Sequence, residues 1–383
     1  MINRRSYIDR VKKALQSNPV VALLGPRQTG KTTLARQVIE GTESAVFDLE
    51  KHSDQARLAD PELALSHLKG TVVIDEIQRR PELFSILRPL ADRPGQPARF
   101  LILGSASPNI VRGVSESLAG RVAFVDLGGF NMEEVGAENM QTLWLRGGFP
   151  RSYLAKDEAA SRAWRENFIR TFLERDIPLL GIRIPAETLR RFWMMVAHYH
   201  GALWNAADLS RSLGVSEHTV RNYLDILSGA YMVRQVSPWW ENLGKRQYKS
   251  PKVFVRDSGV FHSLLGLERQ QDLTAHPKLG ASWEGFAMEQ VLSVAGDRQV
   301  FFWRTHAGAE IDLLLFRGGR RYGVEFKYSA APTMTKGLHS ALADLKLDRA
   351  WIIHPGSQGY PLHERVDALS LQDLPSISAY LKA

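Results

Sequence analysis

"PVVALLGPRQTGKTTLARQVIEG", Pro19 to Gly41, sets an apolar run, a glycine-bounded turn and an amphipathic segment in immediate succession. A strand, a tight loop and a helix in that order are the context that the phosphate-binding pattern G-x-x-x-x-G-K-[ST] requires. Gly25 and Gly30 let the backbone bend so that successive N–H groups point into one cavity. The helix that starts near Lys31 adds the positive end of its dipole. The pattern makes a nucleotide cradle of Gly25, Pro26, Arg27, Gln28, Thr29, Gly30, Lys31, Thr32 and Thr33. Lys31 is expected at the β- and γ-phosphates and the Thr32 hydroxyl on Mg²⁺, so ATP and Mg²⁺ are the expected ligands.

If a nucleotide is hydrolysed there, an acid must arrive beside the loop from a second strand. "GTVVIDEIQRRPEL", Gly70 to Leu83, supplies four apolar positions ending in Asp75-Glu76. A buried strand that delivers acids at its carboxyl end places them at the nucleotide. On this reading an adjoining strand brings Asp75 to the magnesium shell and Glu76 to the attacking water. "ESAVFDLE" lies between the two motifs and "ARFLILGSASPN" follows them, each a further strand of the sheet. The second of these ends in Ser105 and Ser107, either of which is positioned to meet the γ-phosphate or the water. "VSESLAGRVAFVDLGGFNMEEV" adds a helix end, Arg121 and a fifth strand.

From Leu23 to about Glu134 the chain resembles the AAA+ ATPases, in particular the bacterial and archaeal group that carries a C-terminal DUF4143-type region. The resemblance implies that Ser105 is the residue called sensor 1. It also implies that Arg121 is an arginine finger acting on a neighbouring subunit, which calls for a homo-oligomer, a hexamer being one form. A surface arginine after Ala-Gly is the plainer reading of Arg121. The run "GGFPRSYLA…FIRTFLERDIP" resembles the same family and carries the likeness beyond the phosphate-binding domain.

Gly147, Gly148 and Pro150 interrupt the chain, and two aromatic-rich amphipathic helices follow. Their Trp164, Phe168, Phe172, Phe192 and Trp193 read as core. His198 and His200 read as part of a packed helix end rather than as metal ligands, since no acid or cysteine accompanies them. "NAADLSRSLGVSEHTVRNYLDILSGAYMVRQV", Asn205 to Val236, has the spacing of a helix-turn-helix. Ala206–Leu213 is the first helix, Gly214 takes the left-handed turn, and Ser216 caps the second helix. Val220, Tyr223, Leu224 and Leu227 form its inner stripe, leaving Glu217, His218, Arg221 and Asn222 outward to enter a major groove. Two strand-like runs then flank a loop with Lys245, Arg246, Lys249 and Lys252 among Trp240 and Tyr248. A hairpin after a helix-turn-helix makes a winged helix, and a basic, aromatic wing suits phosphate contact and base stacking. A solvated packing module is the alternative.

Near the end, "EIDLLLF" and "YGVEFKYS" flank the turn "RGGRR". Alternation puts Glu325 and Lys327 on one face, with Asp312 on the preceding strand. Asp312 and Glu325 could hold a divalent metal while Lys327 orients a water, and Glu284 on an upstream helix could add an acid. An edge hairpin bearing surface charge is the bland alternative, but an acid inside Ile311–Leu315 costs several kcal/mol if buried unpaired. The pattern resembles the PD-(D/E)xK nuclease fold, some members of which only bind DNA.

The expected architecture is therefore α/β. A P-loop AAA+ domain with a central parallel sheet (1–145) is followed by a helical linker or lid (146–200). A winged-helix DNA-binding domain (201–265) and a restriction-endonuclease-like α/β domain (275–383) complete it. The 383 residues suffice for two or three cores. A net charge of +8 favours polyanionic partners, duplex or branched DNA among them. The absence of cysteine excludes disulfides and thiolate chemistry and fits a cytoplasmic protein, and no run is long enough to span a membrane. Three functions suit these features: a DNA-acting ATPase motor, an ATP-regulated metal-dependent nuclease, or a nucleotide-switched DNA-binding regulator of antitoxin-like type.

Overall fold

The computed structural model describes residues 2–95, 97–105, 108–241 and 248–381, and the side chains of 108–112 are not among those described. Two compact units divide the chain: residues 1–130 with 229–231, and residues 131–228 with 232–383.

In the first unit a helix, α1 (Arg5–Ser17), precedes β1 (Val20–Gly25), and α2 (Lys31–Ile39) follows it. The strands β2 (Ser44–Asp48), β3 (Thr71–Asp75), β4 (Arg99–Ser105) and β5 (Val122–Asp126) complete one sheet in the order β2-β3-β4-β1-β5. Every pairing in it is parallel. This is the central sheet of the P-loop NTPase fold. A parallel sheet is covered on both faces, so its strands read as continuous apolar runs. β1 is buried along its whole length. Its alternation feeds two cores: Val20, Ala22 and Leu24 pack with Val72, Ile74, Phe100 and Ile102, while Val21 and Leu23 pack with Val73, Leu101 and Leu103. The strand beside β1 is β4 rather than β3, which corrects the expectation that Asp75 comes from the adjoining strand. Because β4 lies between, the carboxyl ends of three strands converge on the loop instead of two.

The second unit opens with helices, including α3 (Glu158–Thr171) and α4 (Ala186–His198). Phe168, Phe172, Phe192 and Trp193 are buried as expected, whereas Trp164 is half-buried. Next come β6 (Ala202–Leu203), α5 (Ala206–Leu213), α6 (Glu217–Gly229), β7 (Val233–Pro238) and β8 (Lys252–Val255). Asn205 accepts the N–H groups of Ala207 and Asp208 at the start of α5, Gly214 ends it at φ 69°, and Ser216 accepts from Thr219 N at 3.1 Å. The ring of Phe192 on α4 meets Trp204 and Tyr223 edge-on at 6.1 and 5.5 Å, which fixes α6 to the helical body.

Beyond α7 (Leu279–Ala295) lie β9 (Val300–Arg304), β10 (Glu310–Arg317), β11 (Arg320–Phe326), β12 (Arg349–His354), β13 (Tyr360–His363) and β14 (Val366–Ser370). The β10–β11 hairpin turns at Gly318 and Gly319 with φ 54° and 75°, the left-handed pair that a tight two-residue turn needs. These strands do not form a separate sheet. β7 pairs in parallel with β9, Ser237 opposite Phe301, giving nine strands in the order β13-β14-β12-β11-β10-β9-β7-β8-β6. The pairing runs across residues 266–274, where the sequence suggested a break. Trp239 seals it, its ring 5.1 Å from Phe301 and 4.5 Å from Phe316.

Candidate functional site

The loop after β1 is shaped by close approach. A Cβ on Gly25 would stand 2.1 Å from the Leu127 carbonyl oxygen, so only glycine passes there. Gln28 and Gly30 both take positive φ, 66° and 89°, turning the backbone before α2 begins. Thr29 is buried and its hydroxyl donates to Pro26 O at 2.9 Å. Arg4, buried beneath the loop, donates to the carbonyls of Thr29, Gly128 and Gly129 at 3.1, 3.2 and 2.9 Å, so the segment before α1 braces the turn from below. The Lys31 ammonium donates to the Gly25 and Pro26 carbonyls at 2.9 and 2.7 Å. Thr32 and Thr33 are exposed at the head of α2.

The Thr32 hydroxyl donates to Asp75 Oδ2 at 2.6 Å, and the other Asp75 oxygen accepts Glu76 N at 2.9 Å. These two hard-oxygen groups suit the coordination preferences of Mg²⁺, so the residues present fit that ion. Glu76 itself sits at φ 56°, an uncommon conformation for a residue with a side chain, and its carboxylate turns back toward the loop. Arg27 Nη2 lies 3.6 Å from Glu76 Oε2, and the Gln78 amide donates to the same oxygen. Gln78 also accepts from Ser105 N at 3.4 Å, while Arg27 Nε donates to Ser105 Oγ at 3.3 Å. Glu76, Gln78, Arg27 and Ser105 are thus joined in one ring of contacts. Burial pushes the Glu76 carboxyl above the ordinary glutamate range, against the pull of Arg27 and Lys31. A carboxylate so raised is a better proton acceptor.

Gln78 escaped the sequence reading. Its only signal was its place two residues after Glu76, and the single 3-10 turn Ile77–Arg79 that folds it back cannot be read from periodicity. Arg121 lies at the opposite end of the strands, at the entrance of β5, where Val122 pairs with Val20 at the entrance of β1. At about 3.3 Å per residue the six residues of β1 put it roughly 20 Å from its own loop. It forms a two-point pair with Asp92 at 2.6 and 2.7 Å. Ser107 lies outside the described residues.

In the second unit, α6 presents Glu217, His218, Arg221 and Asn222 outward, while Val220, Tyr223, Leu224 and Leu227 are buried. Arg221 is 3.3 Å from Glu217, so part of its charge is met on its own helix. Trp240 is 48% exposed with the Lys249 ammonium 5.3 Å from its ring centroid. Lys245 and Arg246 lie outside the described residues. Tyr248 has one ring face taken, its ring lying 4.2 Å from that of His306 at 7°.

Lys252 departs most from expectation. It is 3% exposed, and its ammonium lies 3.1 Å from Glu284, 2.6 Å from Glu310 and 3.0 Å from Asp312. A lysine expected on a DNA-facing wing is instead the hub of an internal acid cluster, since all four residues of β8 are buried. Asp312 Oδ2 accepts Phe326 N at 3.1 Å. Glu325 pairs with Lys327 at 2.8 Å, and its second oxygen is buried without a hydrogen-bond partner. Burial and the neighbouring Asp312 push Glu284 up to about 8. Burial works against the Lys252 ammonium, yet Asp312, Glu284 and Glu310 together hold its pKa well above the usual range. Glu284, Asp312, Glu325 and Lys327 do come together, as the sequence suggested. Even so, among the described residues no group of three or more His, Asp or Glu residues could hold a metal ion.

His200 and His262 are pinned in the core. His200 accepts Val255 N at 3.0 Å and meets Ala281 O at 3.1 Å, and burial lowers its pKa to about 3. His262 bridges Leu145 O and the Ser282 hydroxyl at 3.1 and 2.7 Å.

Three family models match along the chain. Residues 17–136 match the family model described as an AAA domain. Residues 137–271 and 279–374 match two domains of unknown function, DUF8612 and DUF4143. The uncharacterized proteins Rv2008c of Mycobacterium tuberculosis and Mb2031c of Mycobacterium bovis are each 51% identical over 369 residues, covering 96% of this chain and 84% of theirs. Among solved structures, the Walker-type ATPase PABY2304 of Pyrococcus abyssi aligns with 69% of this chain and 96% of its own, at 14% identity and a TM-score of 0.49. No helix among the described residues is long and apolar enough to cross a membrane.

Proposed function

The chain belongs to one family with the two mycobacterial proteins, and from that premise we propose that it hydrolyses ATP at the Gly25–Thr32 loop and couples the turnover to DNA. The observation that carries the reading is the 2.6 Å contact between the Thr32 hydroxyl and Asp75, which joins the phosphate loop to the acidic strand end. Backbone amides from Gly25 to Thr32 would bind the phosphates, with the Lys31 ammonium over the terminal two. Thr32 and Asp75 would hold Mg²⁺, which when bound neutralises charge on the phosphate oxygens. Glu76, raised by burial and held by Arg27 and Gln78, would take the proton of the attacking water. Ser105 would sit at the third corner, facing the γ-phosphate from β4. Arg121, too distant to serve its own loop, would act only on a neighbouring copy in a homo-oligomer.

DNA contact rests on the helix-turn-helix followed by paired strands, an arrangement suited to a winged helix. The exposed α6 face, Trp240 and Lys249 support it, as does the net charge of +8. The C-terminal strands and α7 would make a nuclease-like fold.

The test is ATP turnover by the full chain with and without duplex DNA at two salt concentrations. Lys31→Ala and Glu76→Gln should each lower turnover by about 100-fold or more. DNA should raise turnover in the native chain, more so at low salt. A native chain that turns over no ATP under any of these conditions would refute the proposal.

A further inference from the structure

Lys252 and the carboxylates around it differ from what a metal-dependent nuclease requires. In such a site the acids converge on an ion bound at about 2.1 Å, keeping oxygens free for it. Here the point of convergence is filled by the chain itself. The Lys252 ammonium takes one oxygen each from Glu284, Glu310 and Asp312. The remaining Asp312 oxygen is committed to Phe326 N, and Arg304 Nε stands 3.4 Å from the second oxygen of Glu310. Counting Glu325 and Lys327, four carboxylates face three cations within one cluster. A divalent ion entering it would meet a site already close to neutral, with an ammonium beside the oxygens it needs. One feature points the other way: the partnerless buried oxygen of Glu325 is what a metal would satisfy. That oxygen, with one Glu284 oxygen and both Asp312 oxygens engaged, does not by itself make a site.

The Lys252 backbone is fixed on both sides. It pairs with Val236 on one side and Leu203 on the other, so β8 is held between β7 and β6. Trp239 N donates to Phe302 O at 2.7 Å, which ties the start of the same loop to β9.

We infer that Lys252 is a built-in cation standing in place of a divalent metal, so that the C-terminal half of this protein holds its structure, and any DNA it meets, without cleaving it. The inference is independent of ATP hydrolysis at the first unit, and it makes the nuclease reading of the chain the one to be discarded.

The test uses the full chain without nucleotide and counts bound Mn²⁺ by electron paramagnetic resonance, with supercoiled plasmid incubated in parallel. The native chain and Asp312→Asn should bind the same number of Mn²⁺ ions, and the plasmid should stay intact with both. Lys252→Met should gain one Mn²⁺ site, and Lys252→Met with Asp312→Asn should lose it again. Loss of a bound ion in Asp312→Asn alone, plasmid nicking that depends on Asp312, or a folded Lys252→Met that gains no ion would each overturn the inference. Should Lys252→Met fail to fold, the native chain against Asp312→Asn and Glu284→Gln still decides it.

Discussion

Gln78 bridges the Glu76 carboxylate and the backbone N–H of Ser105, two strand ends of the candidate site. Asp75 and Glu76 were legible because an apolar strand must end somewhere and its carboxyl end faces the loop. Gln78 depended on Glu76 adopting φ 56°, which reverses the chain within two residues. Gly104 matters here too: a Cβ on it would come within 3.2 Å of Gln78 Oε1 and of Ile77, so the lack of a side chain on β4 makes room for the turn. Gln78 touches both Glu76 and Ser105, so on the proposed function its part is to position the acid. Gln78→Ala should therefore reduce kcat for ATP roughly tenfold, the loss of about 1.4 kcal/mol of orientation, with KM nearly unchanged. Steady-state kinetics decide it; a rise in KM at constant kcat would assign Gln78 to binding instead.

At the level of elements, β8 shows why the rest was not legible. A four-residue strand beginning with lysine after a proline reads as the rim of a loop, and only its pairing on both sides buries that lysine. By contrast α5 was legible to the residue and α6 at its start, because Asn205, Gly214 and Ser216 punctuate them with side chains and a left-handed glycine. The buried cluster that β8 completes has a measurable signature. The Glu284 carboxyl lies at about 8 in the folded chain against about 4.3 unfolded, so the folded state keeps a proton that the unfolded state has released. The stabilisation this gives is complete below the unfolded value and is lost as pH rises through the folded one. Between about pH 5 and 8 the thermal midpoint of the native chain should fall by several degrees relative to Glu284→Gln, then level off. Melting curves that stay parallel across that range would remove Glu284 from the account.

For the whole molecule, length and composition indicated several cores, and the five-stranded sheet followed from its apolar runs. The nine-stranded sheet did not, because the β7–β9 pairing joins segments more than sixty residues apart with only two residue pairs of register. Nothing local in either strand names its partner. Ending the chain at residue 268 would strip β9 from β7 and uncover Trp239 where it now packs on Phe301 and Phe316. An open edge beside an exposed indole invites pairing between copies. The shortened protein should elute as aggregate in size-exclusion chromatography, whereas a stable monomer would mean that the helix-turn-helix half folds without the rest.

Hydrogen-bonded backbone resists shear in a way that a flexible tether does not. With β7 and β9 laced into one ladder, a load taken up at the outer face of α6 passes through that ladder toward β13 as through a stiff plate. The helix-turn-helix and the C-terminal strands, both in the second unit, are thereby joined by backbone hydrogen bonds and not by a linker alone.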